Sequence, residues 1–217
     1  MGCSQAVTHA ALNETQHHDI LFIREPFIHK TNRELADVSH PAWKRVTPLT
    51  AWTKLVAFVN KRVKSVKGSI NASGTVGTVT IALTNIVGIY LNGKSAIEDI
   101  RDDLLHITRA GRVAVMGDFN AHSTTWGSSR SNPRGKEAVN WATAGSMAQH
   151  VSQPTWRRQA KESTLDLIFT NPLTNFSHNN LHHTHLGSDH DLISGTFTAL
   201  VPGNRTYKTP DWDLWRK

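Results

Sequence analysis

The chain has 217 residues, a length that suits one globular domain with a sizeable buried core. Hydrophobic residues make up 38% of the sequence and charged residues 19%, which excludes a wholly disordered chain. The net charge is +7, so a polyanion such as nucleic acid is a favoured class of partner. The single cysteine, Cys3, excludes an intramolecular disulfide and favours a reducing compartment.

No targeting or membrane-spanning segment is evident in the sequence. The longest uncharged stretch, residues 68–93, is interrupted by Gly, Ser, Asn and Thr and alternates in hydrophobicity as strands do. The N-terminus lacks the basic, apolar and small-residue order of a signal peptide. Met1-Gly2-Cys3 begins like an acylation motif, but Ala6 stands where that motif requires Ser or Thr. We therefore expect no membrane association.

Strand-like and helix-like runs alternate along the chain, which predicts a mixed α/β fold. Short apolar or alternating runs predict six strands, at residues 20–23, 78–84, 86–91, 113–116, 165–169 and 192–199. A capping box of Ser95 and Glu98 precedes an apolar helical face and predicts a helix that ends at Gly111; the face consists of Ile97, Ile100, Leu104 and Leu105. A second helix is predicted over residues 137–144.

Two polar regions are predicted to lie outside these elements. The stretch 171–188 is predicted to be a loop. From Pro202 the composition changes to Pro, Trp and charged residues, which predicts a domain over residues 1–201 followed by a tail or linker over 202–217.

Acidic or amide side chains form four clusters, three at predicted strand ends and one within a strand. They are residues 24–26 (Arg-Glu-Pro), 117–120 (Gly-Asp-Phe-Asn), 163–166 (Ser-Thr-Leu-Asp) and 187–191 (Gly-Ser-Asp-His-Asp). Loops at strand ends often carry functional residues. Taken singly, each cluster also has an ordinary interpretation: an exposed Glu25, a turn at 117–120, an Asp166 that faces solvent, and solvated loop histidines.

The last cluster lies in a histidine-rich run, which raises the alternative of a zinc site. The run contains no cysteine, and its spacing fits no familiar zinc pattern; its members are His178, His182, His183, His185 and His190. An adjacent Asp189 and His190 can instead supply a metal ligand and a proton-handling group from one loop.

Taken together and in this order, the clusters resemble the motifs of the endonuclease/exonuclease/phosphatase superfamily, which includes DNase I-like enzymes. Glu25 matches its metal-binding Glu, and Ile89-Tyr90 matches the strand with its active-site Tyr. Residues 117–120, 163–166 and 188–190 match its Gly-Asp-Phe-Asn, Ser-x-x-Asp and Ser-Asp-His motifs. The resemblance covers about residues 7–200 and implies a four-layer sandwich of two packed β-sheets flanked by helices.

Finer features resemble the endonuclease domain of non-LTR (LINE-type) retrotransposons: residues 19–28, Ala121-His122-Ser123, Trp126-Gly127 and residues 209–212. This resemblance implies an enzyme that nicks DNA in the nucleus and leaves a 3′-hydroxyl for priming, fused to a reverse transcriptase domain.

Three departures from the family pattern are visible. The family begins with a strand that ends in a metal-binding Asn, and we expect this strand to be missing here. Arg24 replaces the usual Gln, and Gly88 stands where an Asn often precedes the Tyr strand. A missing strand is expected to impair metal binding and activity.

The resemblance also implies roles for the matching residues. Glu25 and Asp189 are the expected metal ligands, for Mg²⁺ with Mn²⁺ as a substitute. Asp118 or His190 is the expected base, with Asp166 orienting the imidazole. Asn120 and Tyr90 are expected to contact the phosphate or the attacking water. These residues predict a metal-dependent phosphodiesterase.

Two alternatives stay open: a phosphatase that acts on a lipid or small molecule, and a degenerate remnant that binds DNA without cutting it. The net charge favours DNA, as do Arg157, Arg158 and Lys161 beside the Asp166 strand, which we expect to bind the substrate.

Overall fold

The computed structural model describes residues 4–31, 34–36, 38–92, 97–108, 111–182 and 188–197. Residues 1–3, the helix cap expected at Ser95 and the tail expected over 202–217 lie outside the described residues. The division of the chain at residue 201 also lies outside them and stays a prediction.

Within the described residues, the helices are α1 (Gln5–Glu14), α2 (Arg101–Thr108) and α3 (Pro133–Ala144). The first eight strands are β1 (Ile20–Arg24), β2 (His29–Thr31), β3 (Glu34–Ala36), β4 (Trp43–Arg45), β5 (Leu55–Asn60), β6 (Val66–Ile70), β7 (Val76–Ile81) and β8 (Thr84–Tyr90). The remaining strands are β9 (Arg112–Asp118), β10 (Ala148–Gln149), β11 (Trp156–Arg158), β12 (Lys161–Ser163), β13 (Asp166–Thr170), β14 (Phe176–His182) and β15 (Leu192–Phe197). Short 3₁₀ turns occur at Glu98–Ile100 and Thr124–Trp126.

Two sheets form the centre of the molecule. The larger has six strands in the order β10-β13-β9-β8-β7-β6, and the smaller has three in the order β1-β5-β4. All pairings are antiparallel except that of β8 with β9, whose connection passes through α2. Because β8 and β9 are parallel, their carboxyl ends lie side by side at one edge of the sheet.

The apolar side chains define four layers. Leu12 of α1 packs against Leu21 and Ile23 on one face of the smaller sheet. Ala57 and Val59 on its other face pack against the larger sheet, and the far face of the larger sheet is covered by the two later helices, as the clusters around Leu104 and Trp141 show. The predicted four-layer α/β sandwich of two packed sheets flanked by helices is therefore confirmed.

Gly88 lies where the larger sheet packs against Phe22 of the smaller sheet. A Cβ atom at this position would lie 2.3 Å from the ring of Phe22 on β1. An Asn at position 88 would collide with Phe22, which explains in steric terms why the chain departs from the family pattern here.

Several predicted elements needed correction. The stretch 171–188 is not all loop, because Phe176–His182 forms β14 and pairs with β15. The predicted strand over 78–84 is interrupted by a turn in which Ala82 has a φ of +53°, so β8 begins at Thr84. The helix predicted over 137–144 begins earlier, at Pro133, where the side chain of Asn132 accepts a hydrogen bond from the Gly135 backbone N–H.

A groove lies between the smaller sheet and β15, which is the last described strand. It has a volume of about 1600 Å³ and is lined by both β1 and β15. Among the described residues, β1 is an edge strand of the smaller sheet, and β15 pairs only with β14. We expected the chain to lack the first strand of the family pattern, and this stays an expectation.

None of the described helices is long and apolar enough to cross a membrane.

Candidate active site

Three polar side chains form a row across the larger sheet. Tyr90 is the last residue of β8, and it lies opposite Asp118, the last residue of β9. Asp118 lies in turn opposite Asp166, the first residue of β13. The register of these strands therefore places the hydroxyl of Tyr90 and two carboxylates next to each other at one edge of the sheet.

The backbone around Asp118 is tightly constrained. Gly117 has a φ of +138°, and a Cβ atom there would lie 2.0 Å from the carbonyl oxygen of Ile89. Asn120 has a φ of +46°, its backbone N–H donates to Asp118 Oδ1 at 2.9 Å, and its Nδ2 donates to the Leu91 carbonyl at 2.7 Å. Because Nδ2 is used in this way, the amide oxygen is the group that Asn120 can offer to a ligand.

Asp166 and His190 form a hydrogen-bonded pair. His190 Nδ1 lies 2.7 Å from Asp166 Oδ2, and only 7% of Asp166 is exposed. The interpretation of Asp166 as a solvent-facing residue is therefore wrong. With Nδ1 held by the carboxylate, Nε2 is the ring nitrogen that can meet a substrate.

Backbone contacts fix the loop that carries His190. Trp156 forms a β-bridge with His190, and the Asp191 N–H donates to the Thr155 carbonyl at 2.7 Å. The Thr155 hydroxyl accepts from the backbone N–H groups of Leu165 and Asp166 at 3.0 and 2.9 Å. Thr155 thus joins the segment that carries Asp166 to the segment that carries His190.

Glu25 follows β1 and meets Tyr90. The Tyr90 hydroxyl donates to Glu25 Oε1 at 2.7 Å, and the Glu25 backbone has a φ of +43°. Burial, followed by the hydrogen bond to Glu25, raises the pKa of Tyr90, so the hydroxyl stays protonated at neutral pH. Glu25 itself is exposed, with its carboxylate available at the rim of the groove.

The guanidinium of Arg24 lies among the carboxylates. Arg24 Nη1 donates to Asp118 Oδ2 and lies 3.9 Å from Asp166 Oδ1. The Asp118 side chain is only 2% exposed. Burial and the nearby charge of Asp166 raise the pKa of Asp118 to about 6, although Arg24 and His190 oppose this shift. Two buried carboxylates thus compete for one positive charge.

Asp189 lies beside this group and is engaged differently. Its Oδ2 accepts a hydrogen bond from the indole Nε1 of Trp156 at 3.1 Å. Partial burial acts to raise its pKa, but the indole hydrogen bond and the nearby His190 outweigh it, so the pKa is lowered. Asp189 is exposed and lines the groove.

The three basic residues expected to bind the substrate lie on the β11–β12 hairpin but differ in their contacts. Arg157 donates to Asp191 Oδ2, a carboxylate that is almost fully buried, and is thereby held in the structure. Arg158 and Lys161 pair across the hairpin and are both exposed, and Arg158 lines the groove. Only these two present their charge outward.

The arrangement fits a divalent cation. In the described part of the chain, Asp118, Asp166 and His190 offer ligand atoms that all lie within 4.8 Å of one another. Oxygen-rich groups of this kind suit Mg²⁺ or Mn²⁺. Glu25 and Asp189, the ligands expected from the sequence, lie outside that group of three but line the same groove.

Sequence reasoning missed three residues that shape the site: Arg24, Thr155 and Trp156. Arg24 was visible only as a departure from the family pattern, and a cation next to Glu25 was a usable signal. Thr155 and Trp156 act through contacts with Asp166, Asp189 and His190, which are distant in sequence, so no local pattern could have identified them.

Comparisons with known proteins identify the family and the fold. Residues 84–194 match the family described as endonuclease-reverse transcriptase. The structure resembles the endonuclease domain of TRAS1, a telomere-specific non-LTR retrotransposon, with a TM-score of 0.64 and 18% identity over 86% of this chain and 87% of that chain. No curated protein matches the sequence.

Two further solved structures share the fold. The 3′ phosphatase NExo from Neisseria, bound to a product DNA hairpin, has a TM-score of 0.58 and 15% identity over 91% of this chain and 97% of that chain. An AP endonuclease from Archaeoglobus fulgidus has a TM-score of 0.55 and 13% identity over 90% and 94% of the two chains. Because the family match covers half of the sequence, the chain belongs to the endonuclease-reverse transcriptase family and is a homologue of the nucleases of the endonuclease/exonuclease/phosphatase superfamily.

Proposed function

We propose that the chain is a metal-dependent DNA endonuclease that nicks duplex DNA and leaves a 3′-hydroxyl. The observation that carries this proposal is the row of Tyr90, Asp118 and Asp166, completed by His190 and bordered by Glu25. Such a row supplies a protonated hydroxyl, buried carboxylates and an oriented imidazole around one position at the groove. These are the groups that hydrolysis of a phosphodiester requires.

In the proposed reaction, a water oxygen attacks phosphorus and the bond from phosphorus to the 3′-oxygen breaks. The water gives up a proton to Asp118 or to His190 Nε2, and the leaving 3′-oxygen takes up a proton, so that a 5′-phosphate and a 3′-hydroxyl result. Asp166 holds the imidazole in one orientation and stabilises its charged form. Tyr90 and Asn120 contact the phosphate oxygens or the water.

Glu25, with Asp189 as a further contact and Asp118 beside it, would hold the cation. When bound, Mg²⁺ supplies positive charge at the phosphate and lowers the pKa of a coordinated water, and Mn²⁺ can take its place because it also accepts oxygen ligands. The residues of the chain then need only position the phosphate and move protons.

Three features support DNA as the substrate. The net charge is +7, and Arg158 and Lys161 are exposed beside the site. The matching family is described as endonuclease-reverse transcriptase, and the similar TRAS1 domain comes from a retrotransposon. We therefore propose a reverse transcriptase domain as the partner, the nucleus as the location, and the nick as the primer for DNA synthesis.

The substrate class can be tested with supercoiled plasmid and a phosphorylated inositol, each supplied with Mg²⁺. We expect nicked circles whose new ends a DNA polymerase extends without prior phosphatase treatment. Release of phosphate from the inositol with intact plasmid would instead support a small-molecule phosphatase. Plasmid binding without cleavage of either substrate would support a degenerate DNA-binding protein.

A further inference from the structure

Arg24 is the one cation in contact with the buried carboxylates among the described residues of the site. It donates to Asp118 Oδ2 and lies 3.9 Å from Asp166 Oδ1, at the end of β1. The family pattern described above has an uncharged Gln at this position.

The contacts of Asp118 leave it little freedom while Arg24 is in place. Its Oδ1 accepts from the Asn120 backbone N–H at 2.9 Å, and its Oδ2 accepts from Arg24. The carboxylate is almost fully buried. Each oxygen of Asp118 therefore has one acceptor site occupied, and the positive charge of Arg24 beside it weakens the attraction of the carboxylate for a second cation.

Of the two contacts, the one to Arg24 can be released. The Asn120 contact belongs to the constrained backbone turn, whereas the side chain of Arg24 is 24% exposed and lines the groove. A guanidinium is weakly hydrated and binds phosphate well, so an arginine that leaves the carboxylates has a new partner in the substrate backbone.

We propose that Arg24 acts as an internal counter-ion that competes with the divalent cation for Asp118 and Asp166. Arg24 is then a positioning residue that sets the metal concentration at which the site becomes active, and this role rests on the metal dependence proposed above. Cation binding displaces the guanidinium towards the groove, where it meets the phosphate.

The test is calorimetric titration of the full chain with Mn²⁺ alone, without DNA. Arg24→Gln removes the charge, Arg24→Lys retains it, and Arg62→Gln is a matched control because Arg62 pairs with Asp19 at 2.9 Å outside the carboxylate group. We expect Arg24→Gln to bind Mn²⁺ roughly tenfold more tightly. An adjacent positive charge lowers the proton affinity of a carboxylate by about tenfold or more, and we take the lower end of that range for Mn²⁺. Arg24→Lys and Arg62→Gln should bind like the unaltered chain.

A second measurement guards against poor folding of Arg24→Gln, which leaves the two carboxylates without this counter-ion. Mn²⁺ should raise its thermal midpoint more than that of the unaltered chain, because stabilisation by a ligand of the folded state is RT ln(1 + [L]/Kd) and so increases with affinity. Equal or weaker Mn²⁺ binding by Arg24→Gln overturns the competition while leaving the proposed nuclease intact. Absence of Mn²⁺ binding in every variant overturns both.

Discussion

At the scale of single residues, the site concentrates negative charge in a poorly solvated place. Asp118 and Asp166 face each other across β9 and β13, and both are buried. Arg24 offsets this charge as a cation, and His190 donates or accepts a hydrogen bond at Asp166. This imbalance makes the protein alone less stable than it could be, which is common where a fold holds functional groups in fixed positions.

The raised pKa of Asp118 predicts a particular dependence of stability on pH. The folded pKa is about 6 against an ordinary value of 3.8, so the folded state binds this proton more tightly than the unfolded state does. The resulting destabilisation is absent below the ordinary value and complete above about pH 6. We expect Asp118→Asn to gain stability relative to the unaltered chain as the pH rises from near 4 to near 7.

Urea unfolding of both proteins in EDTA measures this difference, because EDTA removes any cation that would stabilise the carboxylate. Titrating groups that do not interact with Asp118 are shared by the two proteins and cancel in the comparison. A difference in unfolding free energy that stays constant or shrinks over this pH range would show that Asp118 is not held in its protonated form by its surroundings.

The Asp166–His190 pair predicts non-additive effects on catalysis. We expect His190→Ala and Asp166→Asn each to lower the nicking rate by about 10²–10⁴-fold, the usual contribution of a general acid or base. Because the two side chains act as one unit, the double variant should be no slower than the worse single variant. Single-turnover nicking rates measure this, with circular dichroism to verify folding. Multiplication of the two losses would contradict the dyad.

At the scale of elements, the site is assembled by strand register and by one loop that is joined to a hairpin. The register of β8, β9 and β13 lines up the row, and the contacts of Thr155 and Trp156 bring the His190 loop to it. Arg157 strengthens the same junction through Asp191, whereas Arg158 and Lys161 point outward on the hairpin.

This difference within one hairpin predicts two separable effects. Arg157→Ala should lower the unfolding free energy by roughly 1–3 kcal/mol, since it removes a charged partner from Asp191. Arg158→Ala and Lys161→Ala should leave stability nearly unchanged and weaken DNA binding, each reducing the salt dependence of log Kd by about one. Denaturation and fluorescence anisotropy at several salt concentrations distinguish the two. Loss of DNA affinity without loss of stability in Arg157→Ala would place Arg157 at the DNA surface.

Sequence patterns predicted the elements whose apolar residues follow the periodicity of a strand or a helix. The apolar run before Gly117 predicted most of β9, and the helical face of Ile100 and Leu104 is buried as expected. β14 was predicted as loop because Ser177 and Asn179 are polar, yet backbone pairing with β15 needs no apolar side chain. Leu55–Asn60 is buried along its whole length and lacks the alternation that marks a strand.

The site was predictable as far as its residues lie in short motifs. Residues 117–120 and 188–190 could be recognised because the chemistry and the turn fall within a few positions. The salt bridge from Arg24 to Asp118 joins residues that are 94 positions apart, and the salt bridge from Arg157 to Asp191 joins residues that are 34 positions apart. Such contacts depend on how sheets and loops pack, which local patterns do not determine.

At the scale of the whole molecule, two sheets and the groove beside them govern stability. The groove of about 1600 Å³ is lined by apolar residues that include Phe22 of the smaller sheet, Ile89 of the larger sheet and Ile193 of β15. Among the described residues, β1 pairs with β5 alone, so its other edge is where an added strand could form backbone hydrogen bonds.

An extended segment with alternating apolar residues should therefore stabilise the protein. We expect fusion of about ten such residues before Ser4 to raise the thermal midpoint, and an ending Asn to increase Mg²⁺ affinity as well. Scanning calorimetry with and without Mg²⁺ measures both effects, and a segment of the same composition in scrambled order is the control. An unchanged midpoint for both fusions would show that the groove does not accept a strand.

The central claim is that the row of residues at the edge of the larger sheet cuts phosphodiester bonds with the help of a divalent cation. The most direct measurement is the rate of plasmid nicking by the 217-residue chain in Mg²⁺ and in excess EDTA, alongside Asp118→Asn. The account predicts nicked circles in Mg²⁺, none in EDTA, and a rate reduced by about 10²-fold or more in the variant. Nicking that proceeds equally in EDTA, or that Asp118→Asn leaves unchanged, would contradict it.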